Sequence, residues 1–154
     1  KIGAYLPPVG GRGGNPADLA NRGISPETLG PIMDILADEE ELDFLLLYEM
    51  LFYMYNARRR LPPEEAAKVD FLAPHRGVAV KAQEIRERLG KPLALVLIDT
   101  ASNPEHAEVE AGRQEARYYY TTRGFPCFDT GLQAFSVLRR VADYYTKRDS
   151  RGDN

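Results

Sequence analysis

Two short, nearly uninterrupted apolar runs constrain this chain most: Leu42–Tyr48, broken only by Asp43, and Leu93–Ile98. Neither approaches the roughly 20 residues a membrane-spanning helix needs; both have strand length. A strand without polar alternation is what a parallel sheet covered on both faces requires. The stretches between them read as helices. Ser25-Pro26 suits an N-cap and first helical position, and apolar residues follow at Leu29, Ile32, Met33, Ile35 and Leu36 through Ala37. Residues 62–68 and 74–89 follow, the second closed by Gly90, and a further helix runs from Pro104 to Thr122. Asp129-Thr130-Gly131 caps a last helix, apolar at Leu132, Phe135, Val137, Leu138, Val141 and Tyr145. Asn15–Leu19 reads as a first short strand, and Phe125–Phe128 as a last one held to the sheet edge by Pro126. The alternation β-α-β-α-β-α-β-α predicts an α/β fold with a short parallel sheet of four to five strands and helices on both faces.

At 154 residues the chain suits one domain. The expected division is a linker over 1–14, the domain over 15–146 and a polar, disordered tail over 147–154. Lys1 opens directly into a Pro/Gly-rich stretch, so the chain is expected to be a piece of a larger protein. A net charge of −3 argues against nucleic acid or a membrane surface as a partner reached through bulk charge. One cysteine and two histidines provide neither a disulfide nor a recurring metal-ligand spacing, which fits a cytoplasmic setting.

In parallel sheets, ligands bind outside the carboxyl ends of the strands, where strand order reverses. That points to the loops Leu19–Ser25, Tyr48–Arg60 and Asp99–Asn103. Asn15 and Asp18 are candidates to line the cleft, although a turn and a strand-end acceptor explain them equally well. Ser25 and Glu27 mark either an anion site or a plain helix cap. Asn56 and Arg58 lie in a Tyr/Arg-rich stretch, where Arg58-Arg59-Arg60 is read as a phosphate or CoA clamp or as a solvated run. His75 and His106 lack a carboxylate and nucleophile at a recognisable spacing. Cys127 sits in an apolar strand as an inert thiol. The glycines at 10–14 have no preceding strand and no Gly-Lys-Ser/Thr, so they are not a P-loop.

Gly14-Asn15-Pro16-Ala17-Asp18-Leu19, Gly90-Lys91-Pro92 before an apolar strand, and Gly124-Phe125-Pro126-Cys127-Phe128-Asp129-Thr130 occur in that order. Together they resemble the succinyl-CoA synthetase-like flavodoxin domain of nucleoside-diphosphate-forming acyl-CoA synthetases. That unit is the third subdomain of ADP-forming acetyl-CoA synthetases and the carboxyl-terminal ligase domain of the succinyl-CoA synthetase beta subunit. The resemblance covers 14–145. It implies a three-layer flavodoxin-like fold that presents a helix N-terminus, here opening at Gly23–Glu27 beside Arg22, to a phosphoryl group or CoA.

It further implies partners: a CoA-binding domain, a phosphohistidine-bearing sister domain and an ATP-grasp domain. The whole enzyme would use CoA, ADP/ATP and Mg. This unit would hold no cofactor or metal alone and no complete catalytic set. A homodimer is compatible with the same reading. The sequence departs from the family at Ala20-Asn21-Arg22-Gly23, where a Gly-rich stretch has one Gly, and in the long 49–60 segment. These departures keep a second expectation open: a non-catalytic regulatory or scaffolding relative.

Overall fold

The computed structural model describes residues 2–7, 9–19, 26–99 and 104–152. Three strands, β1 (Leu45–Glu49), β2 (Leu93–Leu97) and β3 (Cys127–Phe128), form a parallel sheet in the order β1-β2-β3. Leu45 pairs with Leu93 and Glu49 with Leu97, while Leu95 pairs with Cys127. Among the described residues six α-helices accompany the sheet: α1 (Pro26–Ala37), α2 (Phe52–Arg58), α3 (Pro63–Ala66), α4 (Leu72–Leu89), α5 (Ala107–Thr121) and α6 (Gly131–Gly152).

The α/β class and parallel sheet agree with the sequence; the strand count does not. Three strands are described, not four to five, and Asn15–Leu19 is not among them. There, Arg12 and Asp18 exchange backbone hydrogen bonds of 2.9 and 2.8 Å in one antiparallel bridge, so the segment folds back on itself. Pro16 has no N–H for a ladder, which limits pairing across this stretch. The 49–60 segment, expected as a loop, contains α2. At the other end, α6 continues through Gly152 rather than dissolving at Lys147.

The sheet faces are unequal. Because strand order never reverses, right-handed crossovers place α4 and α5 on one face. There α1 lies beside α4: Lys81 bonds Asp34 at 3.2 Å, and Arg88 bonds Asp34 and Asp38 at 3.3 and 3.1 Å. Leu45, Leu93, Leu95 and Leu97 point into this core with Met33, Val78, Ile85 and Tyr120. The alternate residues Ala94 and Val96 turn to the opposite face, where α6 places the fully buried Ala134. All of β2 is buried, as its apolar run requires. The β1 run was expected to be covered on both faces, yet Tyr48 is 57% exposed. On this edge strand α6, the one helix packed on that side among the described residues, reaches Tyr48 only with its first turn, where a β-carbon on Gly131 would meet the ring at 3.5 Å.

Local signals explain the helix ends. Gly90 closes α4 in the left-handed conformation at φ 67° and bonds Arg86 through its N–H. Thr130 accepts the Gln133 N–H at 3.2 Å while the Gln133 side chain accepts the Asp129 N–H at 3.2 Å. This is a capping box displaced by one residue on its return bond.

Candidate functional site

In a parallel sheet the helix before each strand begins near the strands' carboxyl ends. Here α1 and α4 run side by side into β1 and β2, α5 runs into β3, and α6 leaves β3. Four helix N-termini therefore converge on one sheet edge. Each carries roughly half a positive charge, although Asp70 accepts the Leu72 N–H of α4 at 2.9 Å and Thr130 the Gln133 N–H of α6.

Charged side chains gather on the same edge. Arg113, buried on α5, donates through Nε and Nη2 to both Glu110 carboxylate oxygens at 2.7 and 2.6 Å. Its Nη1 reaches Asp129 Oδ1 at 2.7 Å and the carbonyl of Leu97, the last residue of β2, at 3.3 Å. Arg117, one turn along α5, donates to the same Asp129 oxygen and to the Cys127 carbonyl at 3.2 Å. The guanidinium thus ties α5 to the ends of β2 and β3. Burial alone would raise the Asp129 pKa, but hydrogen bonding to Arg113 and the nearby charges of Arg117 and Arg113 hold it below its usual range. The Arg113 pKa rises further, chiefly through its bonds to Glu110.

Glu49 ends β1 at this edge. It is buried, and its carboxylate has no hydrogen-bond or ion-pair partner among the described residues. Desolvation pushes its pKa up to about 7. Behind it, Tyr120 and His75 are fully buried, with 3.2 Å between the Tyr120 hydroxyl and His75 Nδ1. His75 Nε2 has no partner, and burial lowers the ring's pKa to about 4.

The residues singled out from sequence do not assemble into one cluster. Arg22, Gly23 and Ser25 lie outside the described residues, and α1 opens just after them at Pro26. Asn15 is exposed and Asp18 pairs with Arg12 through the backbone. Asn56 is half-buried on α2. Arg58 is occupied: its Nε bonds the Ala66 carbonyl at 3.0 Å, its Nη1 pairs with Glu108, and its guanidinium lies 5.0 Å from the Phe71 ring centre. It joins α2 to α3, α4 and α5 rather than reaching outward. Arg59 and Arg60 are exposed.

Glu49, Arg113, Arg117, Glu110 and Asp129 escaped the sequence reading. Glu49 and Asp129 were detectable as carboxylates immediately following apolar strand runs. The arginines were not, because their partner Asp129 lies 16 and 12 residues away.

His75 is sealed in the core, His106 packs edge-on against Phe52 at 4.9 Å, and burial pushes the Cys127 thiol up to about 11. Neither His75 nor Cys127 presents a reactive atom to solvent in this arrangement, whereas His106 is half-buried. Comparison with protein-family models, curated proteins and solved structures returns no match.

Proposed function

We propose that this chain is the flavodoxin-like, phosphoryl-presenting domain of a nucleoside-diphosphate-forming acyl-CoA ligase. The carrying observation is the carboxyl edge of the sheet, where the N-termini of α1, α4, α5 and α6 converge. Such an edge suits a phosphate or the diphosphate of CoA, because backbone N–H groups and helix dipoles favour anions there. The sequence resemblance supplies the reaction class. Acyl-CoA and phosphate exchange to an acyl phosphate and free CoA; the phosphoryl group then passes to a histidine of a sister domain, releasing the carboxylate, and from there to ADP, giving ATP.

Within that scheme the chain's residues orient rather than react. Arg113 and Asp129 fix the ends of β2 and β3 relative to α5. The helix opening at Gly23–Glu27, with Arg22 and Ser25, would face the phosphoryl group. Asn15 and Asp18 would border the cleft. Glu49, with a pKa near neutrality at the end of β1, can exchange a proton with a ligand at that edge. CoA, ADP/ATP and Mg would be held mainly by the CoA-binding and ATP-grasp domains.

A second reading, a scaffolding or regulatory relative that has lost the chemistry, draws on Arg58, whose donors serve the fold. Calorimetric titration with CoA, ADP and phosphate separates the two, first with the chain alone and then beside the CoA-binding, phosphohistidine and ATP-grasp domains. Saturable heat for CoA or phosphate, and acyl-CoA synthesis only with those domains present, is expected for the ligase domain. No heat in any combination would leave the scaffold. Acyl-CoA synthesis by the isolated chain at an ordinary enzymic rate would contradict both.

A further inference from the structure

A five-residue strand is about 17 Å long, whereas the 22 residues of α6 span about 33 Å. Starting at the carboxyl edge, α6 therefore runs past the amino edge of the sheet. Its sheet-facing stripe repeats at helical spacing as Ala134, Leu138, Val141 and Tyr145. Ala134 is fully buried and Leu138 partly so. Val141 and Tyr145 continue the same stripe at 47% and 48% exposure, beside Tyr144 at 64%. Val137, Arg140, Val141, Tyr144 and Tyr145 form a contiguous exposed patch along one side of the helix there. The helix keeps its packing face where its own domain no longer offers anything to pack against.

Charge identifies the occupant. Five basic and two acidic residues give α6 a net charge of +3, so the remaining residues of this −3 chain carry −6. Part of that charge is the exposed run Glu39-Glu40-Glu41 with Asp43, whose side chains have no partner among the described residues. The run leads into β1 at the amino edge. Lys91, just before β2, fixes its position by bonding the carbonyls of Ala37 and Glu39 at 2.6 Å each. The apolar stripe, with Arg140 beside it and Arg139 on the outer side of the helix, and the acidic run thus lie toward the same amino edge. A two-fold axis at that edge brings each stripe against its mate and each arginine pair toward the other copy's acidic run. Such reciprocity is what an isologous contact requires.

We infer that two copies of this chain pair through the projecting half of α6. Val137, Val141, Tyr144 and Tyr145 expose about 350 Å² together, if an aromatic offers roughly 200 Å² when bare and a valine somewhat less. A stable interface takes about 800 Å² from each partner. The remainder comes from the arginine stems and the 39–43 run. An anionic lipid surface is disfavoured by the −6 on the rest of the molecule.

Sedimentation of the full chain at 5–200 µM, in low and high salt, tests the pairing. The chain is expected to approach twice its 17.3 kDa mass as concentration rises, with weaker association in high salt. V141D/Y145D should be monomeric with an unchanged circular dichroism spectrum. R139E/R140E and E39K/E40K/E41K should each weaken the dimer, and combining them should restore it. A wild-type monomer throughout the range would overturn the inference. So would a dimer indifferent to V141D/Y145D, a combined charge swap that restores nothing, or V141-dependent binding to 3:1 phosphatidylcholine–phosphatidylserine vesicles without self-association.

Discussion

The ring of Tyr55 occupies the space that a side chain at position 112 would need. A β-carbon on Gly112 would meet the Tyr55 Cζ at 2.7 Å, with the hydroxyl closer still. The contact locks α2 onto α5, and Tyr55 also stacks on Phe71 with ring centres 4.1 Å apart. Gly112→Ala should therefore cost about 1–3 kcal/mol through overpacking. Tyr55→Phe should not rescue it, since the ring carbon still collides, whereas Tyr55→Leu should recover part of the loss. Urea unfolding of the three single and two double variants measures this.

Arg113 should contribute more as a fork than as a charge. Arg113→Met removes the buried guanidinium from Glu110, Asp129 and the Leu97 carbonyl, leaving Asp129 with Arg117 and Glu110 with Gln114, and is expected to cost about 1–2 kcal/mol. Arg113→Lys keeps the charge but loses the two parallel bonds to Glu110, so most of the loss should persist. Equal stability of Arg113→Lys and wild type in urea would show that the paired geometry is unimportant.

His75 and Glu49 should pull stability in opposite directions with pH. His75 stays neutral in the fold down to about 4, whereas the unfolded side chain takes up a proton near 6.5. Its contribution is therefore lost as pH falls from 6.5 toward 4. Glu49 holds its proton in the fold up to about 7 but releases it near 4.5 when unfolded. Its contribution is lost as pH rises from 4.5 toward 7. Each shift corresponds to roughly 3 kcal/mol, so the wild type should change little between pH 4.5 and 6.5. Glu49→Gln should expose stability rising with pH across that window, and His75→Gln stability falling. Thermal unfolding across the range decides; parallel profiles for both variants would contradict the opposition.

Arg58 should behave as a structural residue and its neighbours as surface residues. Arg58→Ala removes a backbone bond, an ion pair and the contact with Phe71, and is expected to cost about 1–2 kcal/mol. Arg59→Ala and Arg60→Ala should stay within about 0.5 kcal/mol. If Arg58→Ala instead left stability unchanged but weakened phosphate binding, the clamp read from sequence would be restored.

Features that depend on near neighbours were legible in the sequence. The Leu93–Ile98 run announced a buried strand, Gly90 the end of α4, Pro126 an edge strand, and Asp129-Thr130 the start of α6. Features that depend on pairing were not. Asn15–Leu19 has strand-like composition, but a strand needs a partner, and Arg12 reaches Asp18 first. The apolar run of β1 suggested two covered faces, whereas the unreversed strand order puts two crossover helices on the same side. Tyr55 and Arg58 looked like loop residues because their partners Gly112, Ala66 and Glu108 are set by the fold. The carboxyl-edge network was hidden for the same reason.

The most direct test of the phosphoryl-presenting role is amide chemical-shift mapping of the full chain titrated separately with CoA, ADP and phosphate. Saturable shifts are expected at the carboxyl edge, in amides 27–29, 49–52 and 130–134, for CoA or phosphate. Shifts absent from that edge, or confined to the amino edge around 38–43 and 90–93, would contradict it.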